Sequence, residues 1–402
     1  MFNLETIRQD FPSINKKING KEVIYFDSAC MTLKPRQVIE AMDTYYNQHP
    51  ACAGRSVHKF GEAVTKKIKE SRKNIASFIN ANEKEIVFTR NATEGLNLLA
   101  NSLDLCSGDV ILTTDKEHNS NLVPWQLLVK RKGIKHKIFR SNSDGTFNLD
   151  NFREAVRGVK IVSMVHTSNL DGVTIPAKEI IKIANEQGAL VILDAAQSVA
   201  HTKIDVRDLN VDFLVFSGHK MLGPTGTGVL YGRYELLEKL APFMVGGSTV
   251  EYTTYDDYRL LPAPEKFEAG LQDYAGIIGL DAAVKYLDNI GFENINEQEK
   301  KLNKYATDEI TKIPNIKIIG PADSGLRSSI ISFYIEGLDM HKIALMLDNS
   351  VNVMVRSGRH CVHSWFDDKD IYNSARVSFY FYNTIEEVNI FIDALKKITA
   401  IL

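Results

Sequence analysis

The 402-residue chain contains few cysteines and no long apolar or basic run, and each of these absences excludes a class of protein. Four cysteines without a CxxC pair do not support a disulfide scaffold or a structural zinc site, so we expect no metal. No apolar run approaches the length of a membrane span, and no Lys/Arg block indicates binding to nucleic acid. The N-terminal residues lack a basic segment followed by an apolar one, so we expect no secretory signal and a cytoplasmic location.

Apolar runs and amphipathic segments alternate between residues 62 and 232. Runs such as EIVFT, ALVIL and FLVF are apolar at nearly every position, which predicts an α/β fold with a mostly parallel sheet flanked by helices. Residues 251–264, rich in Tyr, Asp, Thr and Pro, are predicted to form a long ordered loop. We predict a large domain over residues 20–260 and a smaller α+β domain formed by residues 1–19 and 261–402.

Hydrogen-bonding or titratable side chains follow five of the predicted strands. The carboxyl ends of parallel strands meet at one edge of an open sheet, which is where ligands bind. The candidate residues at these ends are Thr93, His118, Asn169, Asp194, Ser217, His219 and Lys220. We therefore expect a site at this edge.

The types of these residues indicate a ligand. Thr93 begins a predicted helix, whose free N–H groups can bind a phosphate. Asp194 follows a buried strand and needs a cation or a strong donor, such as a protonated ring nitrogen. His118 can lie flat against an aromatic ring, and a partly buried Lys220 has the lowered pKa of an imine-forming amine. Together these features predict pyridoxal phosphate (PLP), a cofactor that acts as an electron sink.

Five segments resemble the motifs of one enzyme family. FSGHKMLGPTGTGVLY resembles its lysine segment, ILDAAQS its ring-nitrogen segment, NATEGLNLLA its phosphate helix and EHNSNLVPWQ its stacking segment. With RSGRHC, which resembles a cysteine loop, they give the chain a resemblance to class V, fold-type I PLP-dependent transferases. Within that class, the chain resembles the cysteine desulfurases of the SufS-like second group. The resemblance runs from FDSACMTLKP to ARVSFYFYNTIEEV and so covers nearly the whole chain.

The resemblance implies a role for each residue around the cofactor. Lys220 binds PLP covalently and later moves the substrate proton, Asp194 binds the pyridine nitrogen, and His118 stacks on the ring. Gln197 faces the phenolic oxygen. The implied phosphate ligands are Thr93, Ser217 and His219, with Gly247 as a contributor at the contact between subunits.

The resemblance also implies how substrate and sulfur are handled. Asn169 and Arg376 bind the substrate carboxylate, and Arg356 is a further substrate-binding residue. L-cysteine is converted to L-alanine, and its sulfur passes to Cys361 as a persulfide that supplies iron–sulfur cluster assembly or a related pathway. Arg356, Arg359 and His360 lie near Cys361 in sequence, so we expect its thiol pKa to be lowered. Lys220, Cys361 and His118 are thus the expected catalytic residues.

Implied partners are a second copy of the chain, with active sites shared in a homodimer, and a sulfur-acceptor protein. Two positions bear on these contacts. Leu271 and Gln272 stand where the family often has Thr-Pro, whose threonine reaches the phosphate of the neighbouring subunit. The resemblance therefore does not imply that threonine contact for this chain. Cys30, Cys52 and Cys106 are interpreted as having no catalytic role.

Other activities remain open at this point. A selenocysteine lyase or a cysteine sulfinate desulfinase has the same fold and does not always depend on the cysteine. A class V aminotransferase or an epimerase has no need of Cys361, which could then be an inert cysteine. A non-enzymatic PLP-binding protein would be expected to lack Lys220 or Asp194, and both are present.

Overall fold

The computed structural model describes residues 2–401. Its α-helices are α1 (Leu4–Gln9), α2 (Arg36–Gln48), α3 (Lys59–Phe78), α4 (Ala92–Ser102), α5 (Asn119–Lys132), α6 (Leu149–Ala155), α7 (Ala177–Glu186), α8 (Val206–Leu209), α9 (Tyr234–Leu237), α10 (Tyr274–Ile290), α11 (Phe292–Ile310), α12 (Met340–Val351), α13 (His363–Asp368) and α14 (Ile385–Thr399). Its strands are β1 (Lys17–Ile18), β2 (Lys21–Glu22), β3 (Ile24–Tyr25), β4 (Ile86–Thr89), β5 (Val110–Thr114), β6 (Lys135–Phe139), β7 (Ile161–Val165), β8 (Leu190–Asp194), β9 (Phe213–Ser217), β10 (Gly228–Gly232), β11 (Val250–Thr253), β12 (Tyr258–Leu260), β13 (Ile316–Ile319), β14 (Ile330–Ile335), β15 (Val353–Met354), β16 (Arg356–Gly358) and β17 (Ser374–Ser378).

The large sheet has the strand order β4-β10-β9-β8-β7-β5-β6. Strand β10 is antiparallel to both of its neighbours, and the other neighbouring pairs are parallel. Strands β7 and β9 are buried along their whole length because helices cover both faces of the sheet. The predicted α/β fold with a mostly parallel, helix-flanked sheet is confirmed. The carboxyl ends of β4, β5, β7, β8 and β9 therefore lie at one edge.

Two hydrophobic clusters cover the two faces of this sheet. Ile192 and Leu193 are neighbours in β8 but belong to different clusters, because successive strand residues point to opposite faces. Leu193 packs in the cluster that contains Ile180 of α7 and Leu287 of α10. Ile192 packs in the cluster that contains Trp125 of α5. This packing on both faces fixes the position of each strand end at the edge that carries the candidate residues.

A smaller antiparallel sheet lies in the C-terminal part of the chain, in the order β13-β14-β17-β16. Its buried face contributes Phe333 and Val377 to a third cluster. Helices α11, α12 and α14 contribute Leu302, Leu347 and Phe391 to the same cluster. This arrangement matches the α+β character predicted for the region.

Hydrophobic contacts cross the boundaries that the sequence suggested for the two domains. Phe11 lies in the segment assigned to the small domain but packs in the cluster of the large sheet, as does Leu287 of α10. Phe26, assigned to the large domain, packs with the small sheet, and β3 pairs with β15. An apolar helix face does not specify its neighbour, so the boundaries at 19/20 and 260/261 stay a prediction.

The predicted loop over residues 251–264 is partly wrong, because β11 and β12 form an antiparallel hairpin there. Most residues of this hairpin are exposed, so its sequence lacks the alternation of apolar and polar residues that marks a half-buried strand. Within residues 2–401, no helix combines the length and the apolarity needed to cross a membrane.

Candidate active site

A cleft of about 410 Å³ opens at the carboxyl edge of the large sheet. The structure brings most of the predicted site residues together in its lining: Thr93, His118, Asn169, Asp194, Gln197, Ser217, His219, Lys220, Arg356, Cys361 and Arg376. These residues come from strand ends of the large sheet and from the small antiparallel sheet. The cleft therefore lies where the two sheets meet.

Lys220 ends a single 3₁₀ turn, Gly218–Lys220, that directly follows β9. Burial lowers the pKa of its amine, and the charge of Asp194 partly opposes this effect. A lysine amine with a lowered pKa is partly neutral and can attack an aldehyde. Lys220 thus meets the requirement for covalent attachment of a carbonyl group.

Asp194 is the last residue of β8 and is buried. One carboxylate oxygen accepts the backbone N–H of Ala196 at 3.0 Å. Burial raises the pKa of this carboxyl group, and the charge of Lys220 opposes the increase. The second oxygen is available for a cation or for the N–H of a protonated ring.

His118 is the N-cap residue of α5, and its Nδ1 accepts the backbone N–H of Ser120 at 3.1 Å. Burial, followed by the charge of Lys220, lowers the pKa of His118 to about 3. The imidazole is therefore neutral near pH 7, with its proton on Nε2. A neutral flat ring beside Asp194 and Lys220 is suited to stacking on an aromatic ligand.

The N-terminus of α4 forms one end of the cleft. Asn91 accepts the backbone N–H of Glu94 at 2.9 Å, and Ser217 accepts that of Ala92 at 2.9 Å. Thr93 is exposed, and its hydroxyl lies 2.7 Å from the hydroxyl of Ser120. Hydroxyl groups at a helix N-terminus form a site for an anion such as a phosphate.

His219 lines the same cleft as these hydroxyl groups. Burial, with the charges of Lys220 and Lys34, lowers its pKa to about 4, so near pH 7 the ring is neutral. A neutral imidazole carries one N–H and can donate it to an anion.

Arg376 and Asn169 form the side of the cleft nearest the small sheet. The Arg376 guanidinium donates to the backbone oxygen of Asn169 at 2.9 Å and to Asp27 at 3.3 Å. Arg376 Nε and Asn169 Oδ1 are buried, and within residues 2–401 neither has a hydrogen-bond partner. Buried polar atoms are normally paired, so these two indicate a ligand with both an acceptor and a donor.

Arg356 lies further out, with half of its side chain exposed, and its guanidinium is 3.9 Å from Asp27. Asp27 therefore faces two arginines. Burial raises the pKa of its carboxyl group, and Arg376 and Arg356 oppose this effect.

Cys361 lies on an irregular loop at the rim of the cleft and is exposed. His360 and Cys361 have φ values of 48° and 59°, a conformation that non-glycine residues adopt at a cost. Two hydrogen bonds hold this loop, because Asn119 N–H donates to the Cys361 oxygen at 2.7 Å and Asn169 donates to the His360 oxygen at 2.7 Å. The thiol therefore belongs to a strained segment that the large sheet supports.

Each of the three cationic neighbours expected for Cys361 has another partner, and for Arg356 that partner is Asp27. Arg359 pairs with Asp367 and donates to the Tyr372 backbone oxygen at 3.2 Å. His360 is buried against Ser374, and burial holds its pKa well below the ordinary range, so the ring is neutral. Sequence proximity alone does not show the pairing of Arg359, because Asp367 lies on helix α13, a segment that has no clear helical signal.

Gly247 is the one predicted site residue outside this cleft. It is exposed and lines a second cleft of about 470 Å³ together with Arg55, Ser248 and Gln272. Its expected phosphate contact involves a neighbouring subunit, so that contact stays a prediction.

Sequence reasoning gave no site role to several residues at the cleft. Ser120 follows the stacking histidine and lines the cleft, and Cys30, in a segment expected near the substrate but interpreted as having no catalytic role, lines it too. Asp27 contacts both site arginines. All three belong to the segments EHNSN and FDSACM, which were noted for their resemblance and not for the polar side chains that they bring to the cleft.

The residues that line this cleft fit PLP. A nucleophilic amine, a buried carboxylate with a free oxygen, a neutral flat ring and a helix N-terminus correspond to an aldehyde, a ring nitrogen, an aromatic face and a phosphate. The unpaired atoms of Arg376 and Asn169 remain for a second, amino-acid-sized ligand.

Comparison with known proteins identifies similar chains that are described as cysteine desulfurases. A probable cysteine desulfurase of Pyrococcus abyssi (strain GE5 / Orsay) is 41% identical over 397 residues, which cover 98% of this chain and 97% of the relative. A probable cysteine desulfurase of Synechocystis sp. is also 41% identical over 397 residues, covering 97% and 94%.

Solved structures are similar over the same length. The apo structure of a cysteine desulfurase from Thermococcus onnurineus NA1 matches with a TM-score of 0.96 and 39% identity, over 100% of this chain and 99% of that chain. The cysteine desulfurase CsdA (S-sulfonic acid) from Escherichia coli matches with a TM-score of 0.91 and 30% identity, over 100% of both chains. The sequence model of the family described as Aminotransferase class-V matches residues 24–391. With the fold and the relatives in agreement, this chain belongs to the aminotransferase class-V family.

Proposed function

We propose that this chain is a PLP-dependent cysteine desulfurase of the SufS-like second group. It converts L-cysteine to L-alanine and transfers the sulfur to Cys361. One observation carries the proposal: Lys220, Asp194 and His118 lie in a single cleft, with the exposed thiol of Cys361 at its rim. The names of the relatives support the same activity.

The large sheet provides the residues that would hold the cofactor. Lys220 would supply the amine for covalent attachment, Asp194 would pair with the ring nitrogen, and His118 would cover one face of the ring. Gln197 is the residue proposed to face the phenolic oxygen. The phosphate would lie among Thr93, Ser217, His219 and Ser120. When bound, PLP supplies an electron sink that weakens the bonds at the substrate Cα and then the Cβ–S bond.

Substrate orientation depends on the opposite side of the cleft. The free Nε of Arg376 is a charged donor for the substrate carboxylate, and the free Oδ1 of Asn169 is an acceptor. Arg356 adds positive charge nearer the rim. A carboxylate fixed at this side places the substrate between Lys220 and Cys361, and Lys220, once its amine is free, is placed to move the Cα proton.

Transfer of the sulfur atom to Cys361 then needs no reactant besides the substrate and the thiol. The thiolate of Cys361 attacks the substrate sulfur, a new S–S bond forms, and the Cβ–S bond breaks. The substrate carbon takes the bonding electrons and, finally, a proton. The products are alanine and a persulfide on Cys361, and an external thiol reduces the persulfide to release sulfide.

The proposal extends to partners and location. A homodimer with shared active sites is proposed, with Gly247 as a contributor to the phosphate site of the neighbouring subunit. The exposure of Cys361 supports delivery of sulfur to an acceptor protein for iron–sulfur cluster assembly or a related pathway. A cytoplasmic location is proposed because that compartment keeps thiols reduced.

The test is product analysis of the purified, PLP-loaded protein. With L-cysteine and a thiol reductant, alanine and sulfide are expected in equal amounts. Parallel reactions with selenocysteine and cysteine sulfinate distinguish the lyase and desulfinase alternatives. Transamination products in place of alanine and sulfide would contradict the proposal.

A further inference from the structure

One segment of the chain contacts several of the proposed functional residues, although none of its own residues was predicted to have a functional role. Residues 27–34 connect β3, which pairs with β15, to helix α2. Asp27 binds Arg376, and the backbone oxygen of Ala29 accepts the side-chain amide of Gln197 at 2.6 Å. The far end of the segment reaches the turn that carries Lys220.

Thr32 makes three hydrogen bonds to that turn. Its backbone N–H donates to the oxygen of His219 at 3.1 Å, and its hydroxyl donates to the same oxygen at 3.2 Å. The hydroxyl also accepts the backbone N–H of Leu222 at 2.8 Å. Thr32 is buried. Its hydrogen bonds connect the residue before Lys220 with the second residue after it.

Leu222 explains why this turn needs external support. Its φ is 65°, in the left-handed region that a bulky side chain such as leucine adopts only with strain. Strained backbone persists where the surrounding contacts fix it. The Thr32 hydroxyl provides such a contact at the Leu222 N–H.

Lys34 adds a further donor to the same carbonyl group. Its amine donates to the His219 oxygen at 2.9 Å and to the Thr32 oxygen at 2.6 Å. Burial lowers the pKa of Lys34 to about 7. Within residues 2–401, no carboxylate pairs with this amine. Its third contact is with the hydroxyl of Thr32, to which it donates at 3.4 Å.

We propose that Thr32 and Lys34 are positioning residues for Lys220. Together they supply three donors to the carbonyl oxygen of the His219–Lys220 peptide, which fixes the plane of that peptide. The plane sets the direction in which the Lys220 side chain enters the cleft. The inference rests on the proposed function only in its assignment of Lys220 as the residue that binds PLP.

The experiment measures how fast the Lys220 amine captures PLP. Apoprotein is mixed with PLP, attachment is followed by visible absorbance, and the adduct on Lys220 is trapped with borohydride and located by mass spectrometry. The variants are Lys34→Met, Lys34→Arg, Thr32→Val and Thr32→Ser. Lys178→Met, at an exposed ion pair far along the chain, is the control for loss of a lysine.

Lys34→Met and Thr32→Val are expected to slow attachment by about tenfold or more, because a small displacement of a reacting group costs large factors in rate. Lys34→Arg and Thr32→Ser keep a donor and are expected to stay within about threefold of the unaltered rate. A structural role alone would lower the melting temperature without this difference in rate. Equal attachment rates in Lys34→Met, Thr32→Val and the control would overturn the proposal.

A folding check and the product assay distinguish the possible outcomes. Should circular dichroism show that Thr32→Val does not fold, the Lys34→Met and Lys34→Arg pair decides the question. Attachment of PLP does not require any sulfur chemistry. Failure of the unaltered enzyme to produce alanine and sulfide therefore contradicts the proposed function, whereas unchanged attachment rates contradict the positioning role.

Discussion

The backbone N–H of Asn119 donates to the carbonyl oxygen of Cys361 at 2.7 Å. Asn119 directly follows His118, so the segment that carries the stacking imidazole also holds the loop that carries the thiol. A second bond, from the side chain of Asn169 to the oxygen of His360, holds the same loop from the segment that follows β7. The loop that carries Cys361 is thus held by segments that follow strands of the large sheet, although the loop itself follows β16 of the small sheet.

Removal of the Lys220 amine is expected to abolish covalent cofactor binding. Lys220→Ala leaves the ring and phosphate contacts in place but lacks the nucleophile. We expect the visible absorbance of covalently bound PLP to disappear and the formation of alanine to fall by several orders of magnitude. A variant that kept both would show that Lys220 is not the residue that binds PLP.

Cys361 and Cys30 offer a matched pair, because both line the cleft. Cys361→Ser is expected to lower the release of sulfide from L-cysteine by about 100-fold or more, since a hydroxyl cannot accept sulfane sulfur. Cys30→Ser is expected to retain activity within about threefold. The measurement is the steady-state rate with saturating L-cysteine, and the opposite order of effects would assign the sulfur to Cys30.

Arg376 is expected to determine the KM for L-cysteine. Arg376→Lys keeps a positive charge but removes the planar donor Nε and the fixed geometry held by Asp27 and Asn169. Loss of a charge-assisted hydrogen bond costs about 1.5–3 kcal/mol, so we expect KM to rise by about ten- to a hundredfold.

Arg356→Lys is the control for this change, because the Arg356 side chain is half exposed and should matter less. We expect its KM to change by no more than about threefold. Equal effects of the two substitutions would contradict the assignment of the carboxylate to Arg376.

Acid is expected to destabilise the apoprotein through its buried histidines. Burial lowers the pKa of His166 from its ordinary 6.5 to about 4. Between these two values the unfolded chain binds a proton that the folded chain does not, so the free energy of unfolding decreases as the pH falls through this window. The decrease per buried histidine is at most about 1.4 kcal/mol per pH unit.

His166→Asn tests this linkage by denaturant unfolding at several pH values. We expect a smaller loss of stability between pH 6.5 and 4 than in the unaltered apoprotein. At a pH above this window the imidazole is neutral in both states, so a difference there measures packing and the lost hydrogen bond to Ser198. Parallel pH dependence in the two proteins would contradict a lowered His166 pKa.

The sequence was sufficient to predict the residues at the strand ends of the large sheet. Asp194 and Lys220 follow apolar runs whose burial on both faces is visible in their composition, and parallel strands must end at a common edge. Their meeting in one cleft follows from those two facts. Their roles toward PLP came from chemistry and resemblance together.

Other features depend on contacts that a local pattern does not contain. The bonds of Thr32 and Lys34 to the Lys220 turn join distant parts of the chain, and nothing in TLKP indicates their partner. Arg359 was expected to act on Cys361, but its ion pair with Asp367 depends on the position of α13. The packing of α10 in the cluster of the large sheet likewise depends on tertiary contacts, since an apolar helix face does not specify its neighbour.

The central claim is that Cys361 receives the sulfur of L-cysteine. The most direct measurement is a single turnover of the PLP-loaded protein without reductant, followed by alkylation, proteolysis and mass spectrometry of all four cysteine peptides. We expect one alanine per reacting site and a mass gain of one sulfur atom on the Cys361 peptide alone. Alanine formed with the added sulfur on Cys30, or on no cysteine, would contradict it.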